Sequence, residues 1–295
     1  MSFSFGSQTV HVWGVMNLTP DSFSDGGVVA SRESFHARLT AWLPWVDGID
    51  VGAESTAPMN ASISSVTEIE RLEAILLPVL PSWPSQVVLS LDTYKLETMN
   101  WLLAQAPAHV SVVWNDVSGQ LDESVMALLK KHPNLKYVLC HNPAPKRSLA
   151  GRHMDYATEG AITPMLRDFF RPRIKKLLEH DVFSRVILDP CFGFGKTRAQ
   201  NHALLRELPH LMDELAAAQW MWGVSRKSFL RASSEIDPKQ ESHQQALDGM
   251  AQLWYQESLS RVRHPHTIFL RTHAPLYSRG LASWSTLKAS WNSDS

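Results

Sequence analysis

The stretch Val10–Gly27 reads VHVWGVMNLTPDSFSDGG. Its first part, through Met16, is a short apolar run of the kind that forms a buried strand. From Asn17 onward the run gives way to Thr, Pro, Asp, Ser and Gly, the residues that form turns and loops. Two interpretations of the polar part are open: a surface turn, or a flexible loop that closes over a polar substrate. The rest of the chain has to decide between them.

The same pattern recurs along the chain, because short apolar runs alternate with longer segments of helical apolar spacing. The predicted strands are 10–16, 48–52, 86–91, 109–114, 136–140, 185–188, 220–224 and 267–271. The predicted helices include 31–46, 66–80, 122–131, 163–180, 201–218, 242–259 and 279–291. Apolar strands between helices indicate a parallel sheet buried on both faces. Eight such units predict a (β/α)8 TIM barrel in one domain spanning residues 1–295, with a doubly wound open sheet as the alternative.

The length, charge and cysteine content of the chain limit the classes of protein to which it can belong. The chain has 295 residues, of which 44% are apolar, so it can bury a substantial core. A formal net charge of -1 gives no overall attraction to nucleic acid or to an anionic membrane. The N-terminus does not read as a signal peptide, and no run of 18 or more apolar residues is found, so no membrane span is expected. The two cysteines, Cys140 and Cys191, lack CxxC spacing, which predicts neither a zinc site nor a disulfide framework and favours a reducing cytoplasm.

The ends of the predicted strands carry the polar chemistry. A TIM barrel places its active site at the C-terminal ends of its strands. All eight predicted strands have a polar or ionisable residue at or near this end: Asn17, Asp50, Asp92, Asn115 with Asp116, His141, Asp189, the run 225–228 (SRKS), and Arg271 with His273. If these residues served only to cap the strand ends, a few of them would be enough, and they would not be needed on every strand. The convergence therefore predicts a functional site at this end of the barrel.

These residue types suit a flat, hydrogen-bonding heterocycle together with an anion. A carboxylate can accept two hydrogen bonds from an amino-pyrimidinone edge, and an Asn amide can both donate and accept. Lysine can donate to a ring carbonyl. Arg271 and His273 are two residues apart and would share a face of an extended strand, where they could clamp a phosphate or diphosphate. A hard cation such as Mg²⁺ could be held by oxygen ligands and substrate phosphates, and no Asp/His/Glu cluster indicates zinc.

Several stretches together resemble the dihydropteroate synthase family. They are MNLTPDSFSDGG (16–27), DVGAEST (50–56), SLDTYK (90–95), WNDVSG (114–119), LDPCFGFGKT (188–197), GVSRKSFL (223–230) and LRTHAP (270–275), in the family's order. The resemblance implies the same barrel fold. It also implies a reaction in which 4-aminobenzoate displaces diphosphate from 6-hydroxymethyl-7,8-dihydropterin diphosphate, giving 7,8-dihydropteroate.

The resemblance also implies roles for matching residues. Asp189 would pair with the pterin amino edge, Asp92 and Asn115 with ring nitrogens, and Lys227 with the ring carbonyl. The diphosphate would be bound by Asn17, Arg271 and His273, with Asn17 also a ligand of Mg²⁺. The residues implied to be catalytic are Asp92, Lys227, Arg271 and His273.

The resemblance places 4-aminobenzoate beside two loops. Its implied contacts are Phe23, Thr56, Pro58, Phe194 and Ser228. Ser228 is expected at the start of a helix, where an anion is favoured. Asp21 and Asp25 are either turn formers or residues of loop closure. Closure of the first loop on the second would shield a pterin cation from water.

Some residues have a structural interpretation of equal or greater weight. Asp50 could be only a hydrogen-bonding prop, and His141 could be structural. Asp116 and Ser118 are better interpreted as loop caps than as ligands. The GFGK stretch, 193–196, is too short for a phosphate loop and is interpreted as a tight turn.

The second loop departs from the family. It reads Glu-Ser-Thr-Ala-Pro-Met at 54–59, where the family has Glu-Ser-Thr-Arg-Pro-Gly. Either loop closure is weakened by Ala57, or Lys146, Arg147 or Arg152 substitutes for the missing arginine. Two alternatives to the synthase therefore stay open: a pterin-binding homologue without turnover, and a pterin-binding methyltransferase domain. The resemblance implies a homodimer and small-molecule substrates.

Overall fold

A computed structural model describes residues 2–18, 31–54, 62–215, 219–231 and 240–293, with side chains described as far as Leu287. The strands are β1 (Phe3–Phe5), β2 (Gln8–Asn17), β3 (Gly48–Gly52), β4 (Val88–Asp92), β5 (Val112–Asp116), β6 (Lys136–Cys140), β7 (Val186–Asp189), β8 (Gln219–Trp222) and β9 (Thr267–Thr272). The α-helices are α1 (Arg32–Trp42), α2 (Ser65–Ile75), α3 (Leu96–Gln105), α4 (Glu123–Lys131), α5 (Ile162–Glu179), α6 (Arg198–Leu215), α7 (Glu241–Arg261) and α8 (Pro275–Ser293).

Strands β2 to β9 form a closed parallel barrel. Each pairs with the next in chain order, and β2 also pairs with β9, where Thr9 lies opposite Thr267 and Gly14 opposite Thr272. This closure confirms the predicted (β/α)8 barrel and excludes the open sheet. Strand β1 lies outside the parallel set as an antiparallel arm on β2. None of the described helices is both long enough and apolar enough to span a membrane.

The alternation of side chains along the strands builds two apolar layers. Residues such as Trp13, Ile187, Met221 and Phe269 form a cluster distinct from the larger one, in which strand residues meet the helices. Because a strand points successive side chains to opposite faces, a strand buried on both sides must be apolar on both. This requirement explains the nearly continuous apolar runs in the sequence.

Local sequence signals set several helix boundaries. Helices α1, α2 and α4 begin after Ser31, Ser64 and Asp122, whose side chains each accept a hydrogen bond from the first turn. The predicted helix 66–80 is instead split. Helix α2 ends at Ile75, and a 3₁₀ helix follows at Leu77–Ser82, because Pro78 and Pro81 lack the N–H groups that an α-helix needs.

Candidate active site

A cavity of about 400 Å³ opens at the C-terminal ends of the barrel strands. Nine of the predicted site residues line it: Asn17, Asp92, Asn115, Asp189, Phe194, Lys227, Ser228, Arg271 and His273. The structure therefore brings together residues up to 256 positions apart in the sequence, as the barrel requires. The predicted loop residues Asp21, Phe23, Asp25, Thr56 and Pro58, and also Ala57, lie outside the described residues.

Arg271 connects two carboxylates across the barrel mouth. Its Nε donates to Asp50 Oδ2 at 2.5 Å, and its Nη2 donates to Asp92 Oδ2 at 2.7 Å. The Asp50 carboxylate is fully buried and also accepts from Ser90 Oγ and Asn115 Nδ2. Asp50 is thus a prop for Arg271 and Asn115, as one of the two sequence interpretations held. Arginine carries five N–H donors, and within the part of the chain that the structure describes Nη1 has no partner, which leaves it for a ligand.

The charge of Asp92 is set by two opposing effects. Burial raises the pKa of this carboxyl group, and the adjacent Arg271 guanidinium acts in the opposite direction. Burial prevails, with help from the neighbouring Asp50 and Glu68, and raises the pKa of Asp92 to about 7. The carboxyl group is therefore only partly ionised at neutral pH, and a positive charge in the cavity would favour its ionised form.

Asn115 presents an unused acceptor. Its Nδ2 donates to both oxygens of Asp50, at 3.2 and 3.1 Å, which fixes the orientation of the amide. Its Oδ1 is buried and has no hydrogen-bond partner among the described residues. A buried carbonyl without a partner costs about 1–3 kcal/mol. A ligand N–H in the cavity would remove that cost.

Asp189 ends β7 with its carboxylate held from one side. Oδ1 accepts from the backbone N–H of Cys191 at 2.6 Å, while Oδ2 lies 3.7 Å from Cys140 Sγ. Burial raises the pKa of this carboxyl group, and the backbone hydrogen bond and nearby cations lower it. One oxygen is therefore fixed by the chain, and the other is turned towards the cavity wall formed by β6.

Lys227 follows β8 and reaches over the cavity wall. Its Nζ lies 5.3 Å from the centre of the Phe194 ring, a cation–π contact. Among the described residues it forms no ion pair and no hydrogen bond through this group. Burial lowers its pKa. A lysine with free donors beside an aromatic wall is suited to a ring carbonyl.

His273 is positioned by Ser225, from the predicted run 225–228, and by Asp248, which the sequence did not predict. The hydroxyl of Ser225 donates to Asp248 Oδ1 at 2.9 Å, and Ser225 Oγ lies 3.1 Å from His273 Nδ1. Since the single hydroxyl hydrogen goes to Asp248, the ring must carry its own hydrogen on Nδ1, which leaves Nε2 with a lone pair. Asp248 is an acidic residue buried on α7. A lone acid in an apolar stretch of helix is the signal that could have identified it.

Phe194 belongs to a tight turn after β7. The N–H of Gly193 donates to Asn201 Oδ1, and Lys196 Nζ donates to the carbonyls of Cys191 and Phe194, both at 2.9 Å. The Phe194 ring stacks on His153, with centroids 4.1 Å apart. The turn predicted for the GFGK stretch is confirmed, and its hydrogen bonds hold Phe194 against the cavity.

The prediction for Ser228 needs a correction. Ser228 starts a 3₁₀ helix of only three residues, Ser228–Leu230, whereas the long helix α7 begins at Glu241. A helix of one turn has little dipole, because the dipole grows with the number of aligned peptides. The helix-terminus argument for a carboxylate at Ser228 therefore fails, although the residue is exposed at the rim of the cavity.

Several charged residues near this end are structural. Asp116 accepts from Ser118 N, Tyr137 Oη and Arg147 Nη1, and Ser118 Oγ accepts from Gln120 N. These contacts confirm that Asp116 and Ser118 are loop caps. His141 is also internal: it contacts Lys196 Nζ at 3.0 Å, and burial lowers its pKa.

The candidate substitutes for the second-loop arginine differ in availability. Arg147 is held by the buried Asp116 and by Asp122. Arg152 pairs with Asp155 on the surface. Lys146 is exposed and forms no ion pair among the described residues.

The start of the second loop is anchored by a buried ionic network. Glu54 accepts from Tyr94 Oη at 3.1 Å and from the backbone N–H of Ile63, and forms an ion pair with Lys95. Lys95 also lies 3.2 Å from the buried Glu68. Residues 54 and 63, on either side of the second loop, are thus connected by hydrogen bonds and an ion pair to Tyr94 and Lys95, which follow β4. Glu54 faces the cavity and was not among the predicted site residues.

Asn17 supplies an oxygen that suits a hard cation. Its side chain faces the cavity and forms no hydrogen bond within the described part of the chain. A Cβ built on Gly52 would lie 3.5 Å from both Asn17 Oδ1 and Asp92 Cβ, so these two side chains flank the same point at the end of β3. Mg²⁺ commonly takes one or two protein oxygens and completes its shell with phosphates and water. These residues fit such an ion.

The two cysteines lie close together in the structure, although their spacing along the sequence does not indicate it. Cys140 lies opposite Asp189 in the register of β6 and β7, and Cys191 follows two residues later. Ligand atoms of Cys140, Asp189 and Cys191 all lie within 4.8 Å of one another. Spacing along the chain could not reveal this cluster, because neighbouring strands of a barrel are joined through a whole helix.

Comparisons with known proteins agree with this geometry. The model of the pterin binding enzyme family matches residues 13–256. The dihydropteroate synthase of Synechocystis is 33% identical over 247 residues, which cover 81% of this chain and 79% of that protein. A mitochondrial folate synthesis bifunctional protein of Arabidopsis thaliana is 31% identical over 76% of this chain, which spans only 41% of that relative.

A solved structure supports the same assignment. Dihydropteroate synthase of Xanthomonas albilineans with 4-aminobenzoic acid superimposes with a TM-score of 0.74 at 25% identity. The match covers 95% of this chain and 93% of that one.

Proposed function

The chain belongs to the pterin binding enzyme family and, within it, to the dihydropteroate synthases, and from this premise we propose how its cavity binds and joins two substrates. The substrates are 6-hydroxymethyl-7,8-dihydropterin diphosphate and 4-aminobenzoate. The products are 7,8-dihydropteroate and diphosphate. The observation that carries the proposal is the presence, in one cavity, of Asn115 Oδ1 and the Lys227 ammonium, both without a hydrogen-bond partner among the described residues, beside the Asp189 carboxylate.

The pterin is recognised by its polar edges. Asp189 Oδ2 accepts from the amino edge, and Asn115 Oδ1 accepts from a ring N–H. Lys227 donates to the ring carbonyl. Asp92 also faces the ring, and its negative charge lies where the pterin methylene becomes positive. Because Asn115 is held by Asp50 and Asp189 by the Cys191 N–H, the acceptors are fixed before the ligand arrives.

The leaving group is bound at the other side of the mouth. Arg271 Nη1 donates to diphosphate, and His273 Nε2 becomes a second donor if the anion brings a proton to it. Asn17 would hold Mg²⁺ through its side-chain oxygen. When bound, this ion neutralises negative charge on the leaving group.

The reaction is a displacement at the pterin methylene. The carbon–oxygen bond to diphosphate breaks and its electron pair leaves with the diphosphate. The lone pair of the neutral arylamine then forms the carbon–nitrogen bond, and the amine loses a proton to the departing diphosphate or to water. Asp92 stabilises the positive charge between these steps, and Phe194 with Lys227 walls the side on which 4-aminobenzoate enters. Phe23, Thr56, Pro58 and Ser228 complete the 4-aminobenzoate site, and Asp21 and Asp25 support closure of the first loop.

The proposal extends to the domain organisation, oligomeric state and location of the enzyme. We propose one domain over residues 1–295, a homodimer, and a cytoplasmic location. Support for a dimer comes from large apolar side chains exposed on α7 and α8, such as Leu253, which is 69% exposed, and Leu276, which is 54% exposed. Support for the cytoplasm comes from two cysteines that are both free thiols.

A turnover assay tests the proposal. Purified protein is mixed with the pterin diphosphate, 4-aminobenzoate and Mg²⁺, and release of dihydropteroate and diphosphate is followed. Lys227→Ala should lower kcat/KM by about 100-fold, since a charged hydrogen bond contributes about 1.5–3 kcal/mol. Lys131→Ala is the matched control, because Lys131 is exposed at the end of α4.

The assay also separates the synthase from the silent homologue. Product from the wild-type protein and from Lys131→Ala supports the synthase and shows that Ala57 is tolerated. Pterin binding without product would instead favour a binding protein that has lost turnover. Ala57→Arg is then the variant that should restore activity if the second loop is the cause.

A further inference from the structure

The thiols of Cys140 and Cys191 lie with Asp189 in the wall of the cavity. All three are buried: Cys140 is 1% exposed, Cys191 5% and Asp189 6%. Each offers one ligand atom, and these atoms lie within 4.8 Å of one another. The two thiols are the only cysteines of the sequence, and the structure places both at the same point of the barrel.

We propose that Cys140, Cys191 and Asp189 form a site for a thiophilic divalent cation, Zn²⁺, which competes with the pterin for Asp189. The competition rests on the proposed function, whereas the metal site itself does not. Thiolate ligands select zinc over magnesium. The site is therefore chemically different from the one expected at Asn17.

The distances suit a tetrahedral ion. Zinc bonds to sulfur at about 2.3 Å and to carboxylate oxygen at about 2.1 Å, which separates the two ligand atoms by about 3.6 Å. Cys140 Sγ and Asp189 Oδ2 are 3.7 Å apart. Three protein ligands leave a fourth position for water, as in sites that keep zinc accessible.

Asp189 is already oriented for this role. Its Oδ1 is bound by the Cys191 N–H, so Oδ2 remains for the ion. A hydrogen bond that fixes a ligating carboxylate is a common feature around protein-bound metals. Cys191 holds its side chain at this point from a left-handed backbone, with φ of 54°.

Charge around the cluster also favours the complex. Binding forms two zinc–sulfur bonds and one zinc–oxygen bond, and the two thiol protons pass to the solvent. Two thiolates and a carboxylate give the complex a net charge of about -1 by counting the ligand charges. Lys196, whose Nζ is 2.9 Å from the Cys191 carbonyl, and Lys227 lie near enough to balance it. Burial raises the pKa of the Cys140 thiol, so its thiolate forms when the ion binds and displaces the proton.

Optical titration with Co²⁺ tests the metal site without pterin or turnover. The protein is kept reduced with a phosphine, and sulfur-to-metal charge-transfer absorbance is recorded in the near ultraviolet. We expect a 1:1 endpoint and displacement of Co²⁺ by Zn²⁺. Because the chain has no other cysteine, this absorbance can come only from Cys140 and Cys191.

Two variants make the test specific. Cys140→Ser and Cys191→Gly should each weaken Zn²⁺ binding on the order of 100-fold. Glycine adopts the backbone of position 191 without strain. Val117→Ala, which changes the cavity wall without removing a ligand atom, should keep the wild-type affinity. Absence of the charge-transfer absorbance in folded, reduced protein, or equal affinity in the wild type and both cysteine variants, overturns the proposal.

A competition experiment tests the shared carboxylate. Binding of 6-hydroxymethyl-7,8-dihydropterin is measured with and without saturating Zn²⁺, and the expected result is mutual exclusion. Simultaneous binding of both overturns the competition. Turnover measured with excess Mg²⁺ and a chelator selective for zinc over magnesium reports on the synthase alone, so a failed zinc titration and a failed synthase assay remain separate results.

Discussion

His273 is kept neutral by its surroundings in the ligand-free protein. Burial lowers its pKa well below the usual 6.5, and Arg226, Arg271 and Lys227 lower it further. The hydrogen bond to Ser225 holds the hydrogen on Nδ1. An anion at Nε2 would offset the nearby cations and raise the pKa of His273. The residue can therefore acquire a proton together with its diphosphate ligand.

This protonation state predicts a pH effect on stability. A histidine whose pKa is lower in the folded than in the unfolded state costs stability as the pH falls below the unfolded value. Relative to His273→Asn, the wild-type protein should lose about 1.4 kcal/mol of unfolding free energy for each unit of pH below 6.5, down to the folded-state pKa. Urea denaturation at pH 7.5, 6.0 and 5.0 measures the difference.

The comparison with His273→Asn removes the contribution of other titrating groups. Asparagine keeps a donor near Ser225 and does not titrate. A difference between the two proteins that stays constant from pH 7.5 to 5.0 would mean that the pKa of His273 is ordinary.

The sequence predicted which residues line the cavity better than it predicted which side chains they contact. The position of each polar residue after a strand identified Asp92, Asn115, Asp189 and Lys227 from the sequence. The Arg271–Asp50 pair could not be predicted, because its members are 221 residues apart and meet only when the barrel closes. For the same reason the Cys140–Asp189 contact was missed.

The turn after β7 places three residues of the cavity wall and its support on a short segment. Cys191, Phe194 and Lys196 all lie within six residues, and the turn uses left-handed backbone at Gly193 and Gly195. The two glycines have different surroundings. A Cβ on Gly195 would lie 2.2 Å from Pro143 Cγ, whereas a Cβ on Gly193 would meet nothing nearer than Lys227 at 3.8 Å.

This contrast predicts that substitution by alanine lowers the stability of the protein by different amounts at the two glycines. Gly193→Ala should destabilise the protein by about 1–2 kcal/mol, the cost of a left-handed alanine. Gly195→Ala should cost more, about 3 kcal/mol or above, because the proline ring must also move. Chemical denaturation of both variants measures the difference. Equal losses would show that Pro143 gives way freely and that only the backbone matters.

Elements with strong periodicity were predicted well, and those set by special residues were not. The predicted strand 136–140 coincides with β6, and 48–52 with β3. The arm β1 was missed because three residues, Phe3–Phe5, give too short a pattern. The 3₁₀ helix at 147–156 was missed because such helices follow local turns and not an apolar stripe.

At the scale of the whole molecule, the barrel depends on the pairing of its first and last parallel strands. Strands β2 and β9 meet over six residue pairs. We call this β2–β9 pairing the seam of the barrel. Phe269 of β9 packs beside β2 there, with its ring centre 4.9 Å from that of Trp13 and 5.0 Å from that of His11. Without the pairing, both strands would become open edges with unpaired backbone groups.

The seam predicts a cooperative loss of stability in Phe269→Ala. Removing a buried phenylalanine typically costs about 3–5 kcal/mol, and here the cavity falls where the sheet closes. Tryptophan fluorescence and far-ultraviolet circular dichroism should report the same lowered midpoint, because opening the seam releases strands on both sides. Phe269→Leu, which keeps most of the volume, should cost less than about 1.5 kcal/mol. A fluorescence transition that moves alone in Phe269→Ala would show that the barrel tolerates an open seam, and that closure stabilises only its immediate neighbours.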